Sequence, residues 1–476
     1  MGLFNSLEEF ADAVAIIDEA GLHHSYTDLI ADADQIALTI PAGSLVLFVA
    51  RNCYASIAAY VGFLRAGVVP LMLPSTTKKA DIEKLTERFR PPFTFMPHIP
   101  AEDYGQDYKF GRAIRQFNNY SLYKTNCEAD YVNHTDLALL LSTSGSTGSK
   151  SFVRLSRDNL ECNSSQICKY LGIKASDRAI TTMPMSYSYG LSIINSHLVR
   201  GASIVATEAS LVNPSFWQLL KAEKVTTFGG VPFIYDMLKK LKFHQMDIPG
   251  LRYITQAGGK LSDDLLTYFG NSCRDKDTSF FVMYGQTEAT ARMTYLPHDR
   301  LLEKIGSVGI PVPGAEIWLE DKHGNKVTAS HQPGELVFKG KNVSHGYAEN
   351  RFDLALGDQN HGTLKTGDIA EQDDDGFYRI VGRKSRFLKL FGNRVNLADI
   401  ENSLSEFGFI AACTGTDDNL RIFIEDEANL EAAGKIIKTT LNLPPKGYRL
   451  IPIAQIPRGE AGKISYPLLN AEFGAG

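Results

Sequence analysis

Apolar positions along the chain fall into two textures. In the first, short unbroken apolar runs alternate with longer segments of helical spacing. SLVLFVA (44–50) is apolar after its first residue, YASIAAYVGFLRAG (54–67) carries a helical pattern that stops at Gly67, and VVPLML (68–73) is apolar again. A strand, a helix and a strand at this spacing predict a parallel sheet, since a crossover helix returns the chain to the same end of the sheet and covers it. The rhythm returns in RAITTMP (178–184), ASIVAT (202–207), VTTFGGVP (225–232), LRYITQAGG (251–259) and SFFVMYG (279–285). Each run ends in glycine, proline or small polar residues, at the edge where open α/β sheets hold their ligands.

From about residue 300 the texture changes. AEIWLEDKHGNKVTASHQPGELVFKG (315–340) alternates apolar and polar residues around turn signals, which predicts antiparallel strands. Near GRKSRF (382–387) a boundary is expected, followed by an amphipathic helix LADIENSLSEF, a strand LRIFIED, a further helix and PRGEAGKIS (457–465). The expected organisation is an α/β fold. A large N-terminal domain, 1–384, combines parallel αβ-layered sheets with a small β-barrel-like part, and a small α+β domain follows at 385–476. A length of 476 residues exceeds one ordinary core, and no internal repeat is visible.

Composition removes several function classes. Hydrophobic residues make up 44% and charged residues 22%, as in ordinary globular proteins, and the net charge of −5 provides no basic stripe for nucleic acid. The six cysteines lack C-x-x-C spacing and any neighbouring histidine cluster, so reduced thiols and a cytoplasmic location are expected. No uncharged apolar stretch approaches the ~20 residues of a membrane span. The start MGLFNS matches the short N-myristoylation pattern, which recurs by chance.

Three segments carry chemistry. In TSGSTGSKSFV (143–153), Thr143, Ser144, Gly145, Ser146, Thr147 and Gly148 follow a strand and lack bulk, so backbone N–H groups and hydroxyls can converge on the oxygens of a phosphate chain, with Lys150 adding charge. The spacing is not that of the P-loop NTPases, which would need glycine where Ser149 stands. A flexible surface loop satisfies the same letters. In YGQTEAT (284–290), Tyr284 offers a face for a flat base, Thr287 a hydroxyl for a phosphate and Glu288 a carboxylate for a hard cation, although Glu288 alone also fits a solvated loop acid. In LKTGDIAEQ (364–372), Asp368 follows a Thr-Gly turn, where a carboxylate can accept two ribose hydroxyls; TGD is also a common turn.

Together and in this order, these segments resemble the adenylate-forming superfamily of AMP-forming acyl-CoA synthetases, nonribosomal peptide synthetase adenylation domains and luciferases. The resemblance runs from HSYTDLIADADQIA (24–37) to Lys463. It implies activation of a carboxylic acid by ATP with Mg²⁺, release of pyrophosphate, and transfer of the acyl group to a thiol. By resemblance the loop 143–148 with Lys150 holds the distal phosphates. Tyr284, Gly285 and Gln286 flank the nucleotide with Gly258 and Gly259, and Asp368 and Arg383 hold the ribose. Thr287 contacts the α-phosphate region, Glu288 binds Mg²⁺, Arg394 lies near the phosphates, and Lys463 bridges carboxylate and α-phosphate. Ser385 stands at the hinge of a rotating small domain, and Gly392 where the thiol passes. The family's loop lysine is displaced here, with Lys150-Ser151 in place of its Pro-Lys pair, so on an extended segment Lys150 points away from the usual direction.

The expected acyl pocket comprises Tyr187, Ser188, Phe228, Gly229, Ala257 and Met283. Ser188 stands where amino-acid-activating relatives carry an aspartate, which argues against an α-amino acid, because an unpaired buried ammonium is costly. The glycine pair Gly229-Gly230 and the aromatics suggest a flat or short apolar acid; Phe228 also fits a core position. The acceptor thiol is CoA or, alternatively, the phosphopantetheine arm of an acyl or peptidyl carrier protein. A degenerate nucleotide-binding protein without turnover is the reading from another class.

Overall fold

The computed structural model describes residues 2–98, 111–127, 132–142, 151–384, 386–390, 393–416, 418–439, 443, 447–459 and 463–473. The apolar runs form strands buried on both faces, as parallel strands covered by helices must be. They are divided between two sheets. One has nine strands, in the order Ile310–Pro311, Thr294–Leu296, Ser279–Tyr284, Tyr253–Gln256, Thr227–Gly230, Arg178–Ile180, Ser203–Val205, Val14–Ile17 and His23–Ser25. Its six inner strands, from Ser279–Tyr284 to Val14–Ile17, run parallel. The other has eight, in the order Tyr347–Ala348, Phe152–Ser156, Leu137–Ser142, Val69–Pro74, Leu45–Ala50, Phe93–Pro97, Tyr120–Lys124 and Arg112–Phe117, with its four central strands parallel.

Between these layers the helix Tyr54–Arg65 is buried on nearly every side, consistent with its all-round apolar sequence. It crosses the helix Tyr26–Ala37 so closely that a Cβ on Gly62 would lie 2.1 Å from the carbonyl oxygen of Ala33. The second texture, from about residue 316, forms a five-stranded antiparallel sheet of Lys326–Val327, Glu316–Glu320, Gly334–Lys339, Thr363–Gln372 and Tyr378–Arg383, in the place expected to be barrel-like.

After Arg383 the chain forms a small unit. Its three-stranded sheet, Ala411–Thr416, Asn419–Glu425 and Tyr448–Ile453, carries the helices Leu397–Glu406, Leu430–Thr439 and Tyr466–Phe473, and has its own apolar core around Leu404, Ile422 and Ile437. The junction is pinned on both sides. Lys384 bonds to Glu335 of the antiparallel sheet at 2.9 Å, whereas Arg386 grips Glu401 of the small unit in a two-pronged pair at 2.7 and 2.9 Å and lies 4.1 Å from the ring of Tyr466. Ser385, between them, lies outside the described residues, as does Gly392. The six cysteines are unpaired.

Gly62→Val puts two methyl groups into the backbone of Ala33. A loss of about 1–3 kcal/mol is expected, read as a lowered urea midpoint. An unchanged midpoint would mean that the two helices do not meet this closely.

Candidate active site

The C-terminal ends of the parallel strands converge on one cleft, and the antiparallel sheet supplies its opposite wall. Tyr284 ends the strand Ser279–Tyr284, and its hydroxyl donates to Asp368 Oδ2 at 2.5 Å. Gln286 Nε2 donates to the same oxygen at 2.8 Å and to the carbonyl of Thr366 at 3.1 Å. Asp368 pairs across its own sheet with Arg383, whose Nε lies 3.4 Å from Oδ1. The carboxylate is only 8% exposed, and burial raises its pKa above the usual range despite Arg383, Tyr284, Gln286 and Lys463, which all favour the charged form.

The turn after Tyr284 is tight: a Cβ on Gly285 would lie 1.8 Å from the carbonyl oxygen of Ala291. This closure sets Thr287 and Glu288 at the lip of the cleft. Thr287 Oγ1 lies 3.1 Å from Ser188 Oγ, in the first turn of the helix Ser188–Leu198. Glu288 Oε1 accepts from the Tyr347 hydroxyl at 2.7 Å, and Tyr347 belongs to the edge strand paired with Phe152–Val153. Residues 143–150 lie outside the described residues, but their flanks are held side by side, with Ser142 opposite Phe152. Tyr347 therefore ties Glu288 to the base of the glycine and hydroxyl loop.

Lys463, carried on the small unit, enters the same cleft. Its ammonium stands 5.5 Å from the ring centroid of Tyr187, and its Cε lies 3.7 Å from where a Cβ on Gly258 would be. Gly258 has φ +87, and any side chain there would also strike the Tyr187 hydroxyl at 2.9 Å, so the turn requires glycine for both shape and room. The neighbouring Gly259 is held through its carbonyl by the buried Gln256 amide at 2.8 Å. Burial and the Arg383 charge lower the Lys463 pKa, while Glu288 and Asp368 pull it upward. Burial pushes the Tyr187 phenol up to about 12, so the ring facing the lysine stays neutral.

The expected acyl-pocket residues divide into two groups. Tyr187 faces Lys463 and Ser188 touches Thr287, whereas Ala257, Met283 and Phe228 are buried in one apolar core, Phe228 against Phe243 with centroids 6.1 Å apart. The space beside Gly229 is not open for an acyl group, as the glycine pair had suggested. A Cβ there would meet Tyr189 Oη at 2.7 Å, Thr255 Oγ1 at 2.9 Å and Ile193 Cδ1 at 3.0 Å. Beside Gly230, Ile234 and Tyr235 fill the equivalent volume. Arg394 lies in the strand Asn393–Asn396. Sequence reasoning missed Tyr347, whose bond to Glu288 no local pattern announces.

The chain belongs to the AMP-binding enzyme family, whose model matches residues 3–348. It is 30% identical to a 2-succinylbenzoate–CoA ligase of Bacillus velezensis over 291 residues, covering 60% of this chain and 58% of that protein. It is 27% identical to a feruloyl-CoA synthase of Amycolatopsis sp over 285 residues, covering 59% and 56%. The chain thus spans a little over half the length of these curated relatives. In overall fold it matches o-succinylbenzoate CoA synthetase (MenE) from Bacillus subtilis, solved with the acyl-adenylate OSB-AMP, with a TM-score of 0.79, 21% identity and 98% coverage of both chains. Among the described residues no helix is long and apolar enough to cross a membrane.

Asp368→Asn keeps the shape of the side chain but removes its charge. AMP affinity, measured by calorimetry, is expected to fall by about 10- to 100-fold with the melting temperature little changed, because hydrogen bonds to an ionised group exceed neutral ones. Equal affinity in both proteins would remove Asp368 from the nucleotide site.

Proposed function

We propose that the chain is an AMP-forming acid–thiol ligase. In the first half-reaction a carboxylate oxygen of the substrate attacks the α-phosphorus of ATP; the new C–O–P linkage forms as the bond to the β-phosphate oxygen breaks, and pyrophosphate leaves. In the second, a thiol sulfur attacks the acyl carbon, AMP departs with its oxygen, and the thiol proton passes to solvent. CoA is the acceptor proposed, in line with the CoA ligases among the relatives.

One observation carries the reading. Lys463, from the far end of the chain, lies in the cleft that also holds Tyr187, Glu288, Asp368 and Arg383. The first half-reaction brings two anions together, and its main barrier is their repulsion, so a partly desolvated ammonium beside the meeting point is the group that it needs. Tyr187 limits the lysine to one side of the pocket, and Asp368 with Tyr284 and Gln286 offers a preformed grip for a ribose and base. Glu288 keeps Oε2 without a hydrogen bond among the described residues, and with the Thr287 hydroxyl it supplies the hard oxygen donors that Mg²⁺ prefers. When bound, Mg²⁺ supplies charge neutralisation to the phosphates.

The pinned junction fits a rotation between half-reactions: Lys384 stays with the large unit, Arg386 with the small one, and the backbone at Ser385 absorbs the turn. The displaced Lys150 leaves the loop's hydroxyls and N–H groups as its main contribution. Arg154 cannot replace the missing lysine, because its guanidinium is spent on the carbonyls of His345, Tyr347, Leu356 and Gly357 and on the Gln359 amide.

Acid-dependent pyrophosphate release from a panel of carboxylic acids tests the reading. Lys463→Ala is expected to lower it by about 10²–10³-fold while AMP still binds. Thiol transfer from a supplied acyl-adenylate should fall far less. Wild-type inactivity with every acid, or full activity in the variant, would sink the proposal. The pH profile gives a second check. Lys463 works as a cation and its pKa is lowered, so adenylation should decline with rising pH before the ordinary lysine value of about 10.4 is reached. Lys463→Arg should move that decline to higher pH.

A further inference from the structure

The strand Arg178–Ile180 is followed by a connection, 181–187, that leads into the helix Ser188–Leu198. Its methionines are buried, Met183 at 3% and Met185 at 0% exposure, and Pro184 between them has no N–H to give to a ladder. Backbone groups in such a place need partners, since a buried N–H or carbonyl left alone is costly. Asn52 supplies two of them. Its Nδ2 donates to the Met183 carbonyl at 2.9 Å, and its Oδ1 accepts from the Met185 N–H at 2.9 Å. The side-chain amide thus takes the place of a neighbouring strand. Asn52 stands just past the strand Leu45–Ala50 of the eight-stranded sheet, whereas the connection leaves a strand of the nine-stranded sheet. Arg51 joins the same two layers, with its Nε donating to Glu208 at 2.9 Å.

What the connection carries is Tyr187. The Tyr187 N–H donates to the Pro184 carbonyl at 3.0 Å and closes a turn over the residues that Asn52 holds. The helix that follows is seated on the same turn: a Cβ on Gly190 would lie 2.4 Å from the Pro184 oxygen and 3.0 Å from the Met183 oxygen. At its far end the Tyr187 hydroxyl lies beside Gly258, and the ring faces the Lys463 ammonium at 5.5 Å. That hydroxyl makes no hydrogen bond among the described residues, so backbone and packing set the place of the ring.

We propose that Asn52 is a positioning residue of the adenylation step: by holding Met183 and Met185 it fixes the turn that keeps the Tyr187 ring beside Lys463. The inference rests on the acid-activating reading above and adds to it a residue that acts through Tyr187. The charged neighbours of the lysine, Arg383, Glu288 and Asp368, come from other elements and do not depend on this turn. Release of the turn therefore loosens the aromatic wall of the ammonium's surroundings and leaves the charged ones. Water then reaches the ammonium, and a displacement of about 1 Å is enough to slow a positioned reaction strongly.

Asn52→Ala and Asn52→Asp test this; the second is isosteric and removes only the donor to Met183. In Asn52→Ala, acid-dependent pyrophosphate release should fall about 10-fold in kcat, with the KM for ATP within about twofold of the wild type. In a Tyr187→Ala background the same change should add less than about twofold, because residues that act through one contact are not additive. Additive losses would overturn the proposal. A second readout needs no turnover: the pH dependence of Lys463 acetylation by trace acetic anhydride, followed by peptide mass spectrometry, gives the midpoint for the free amine. The wild type should show a midpoint below the ordinary lysine value of about 10.4 and both Asn52 variants a midpoint raised toward it, with no further rise when Asn52→Ala is added to Tyr187→Ala. A purely structural Asn52 would lower the melting temperature and leave the midpoint where it was. That result overturns the proposal, as does a wild-type midpoint already at the ordinary value. If no acid yields pyrophosphate from the wild type while the midpoints move as stated, the ligase reading falls and the hold of Asn52 on Tyr187 stands.

Discussion

The cleft depends on a balance of charge around one ammonium. Lys463 and Arg383 oppose Glu288 and Asp368, and burial penalises the charged forms of Lys463 and Asp368. Glu288 and Asp368 favour the charged lysine against that burial, and Arg383 with Lys463 favours the charged form of Asp368. The neutral face of Tyr187 gives the lysine a place to rest without binding it to a carboxylate. A lysine in a tight ion pair would have to break that pair before meeting an anion, whereas this one is already partly desolvated and only loosely held. Its electrostatic energy therefore remains available for whatever negative charge enters next.

Holding that balance requires parts from every layer of the fold. Tyr284 and Gly258 come from the ends of parallel strands, Asp368 and Arg383 from adjacent antiparallel strands, Tyr187 from a helix entry and Lys463 from the small unit. The piece that couples them is modest. Tyr347 sits on a two-residue edge strand beside Phe152–Val153, and its hydroxyl fixes Glu288. Arg154 in turn fixes the backbone around Tyr347 by bonding carbonyls on both sides of it.

Much of this was legible in the sequence, for identifiable reasons. Parallel strands buried on both faces read as unbroken apolar runs, and all of the runs from 44 to 285 proved to be strands or the covering helix. Which strands share a sheet was not legible. Leu45–Ala50 and Val69–Pro74 belong to one layer and the later runs to another, and Val14–Ile17 joins the second from the far end of the chain, pairing with Ser203–Val205. Such partnerships depend on tertiary packing, not local pattern. In the site, residues with an unusual local signature, such as Gly258, Gly285 and Asp368, stood out. Tyr347 did not, because a tyrosine on a two-residue edge strand carries no local signal of what it faces. The same limit produced the expectation of free volume beside Gly229: a glycine shows where a side chain is absent, not which neighbour takes up the room.

Arg154 and Arg292 show how one buried charge can be compensated in two ways. Both are buried and lack an ion pair among the described residues, yet the first has carbonyl dipoles on every side and the second has hydroxyls, a thioether and a ring. Carbonyls compensate a guanidinium nearly as well as water does, so Arg154 gains little from any ligand and is best understood as a fastener. Hydroxyls and sulfur compensate it less well, so Arg292 relies on the ring of Tyr189 and the phenol oxygen of Tyr170.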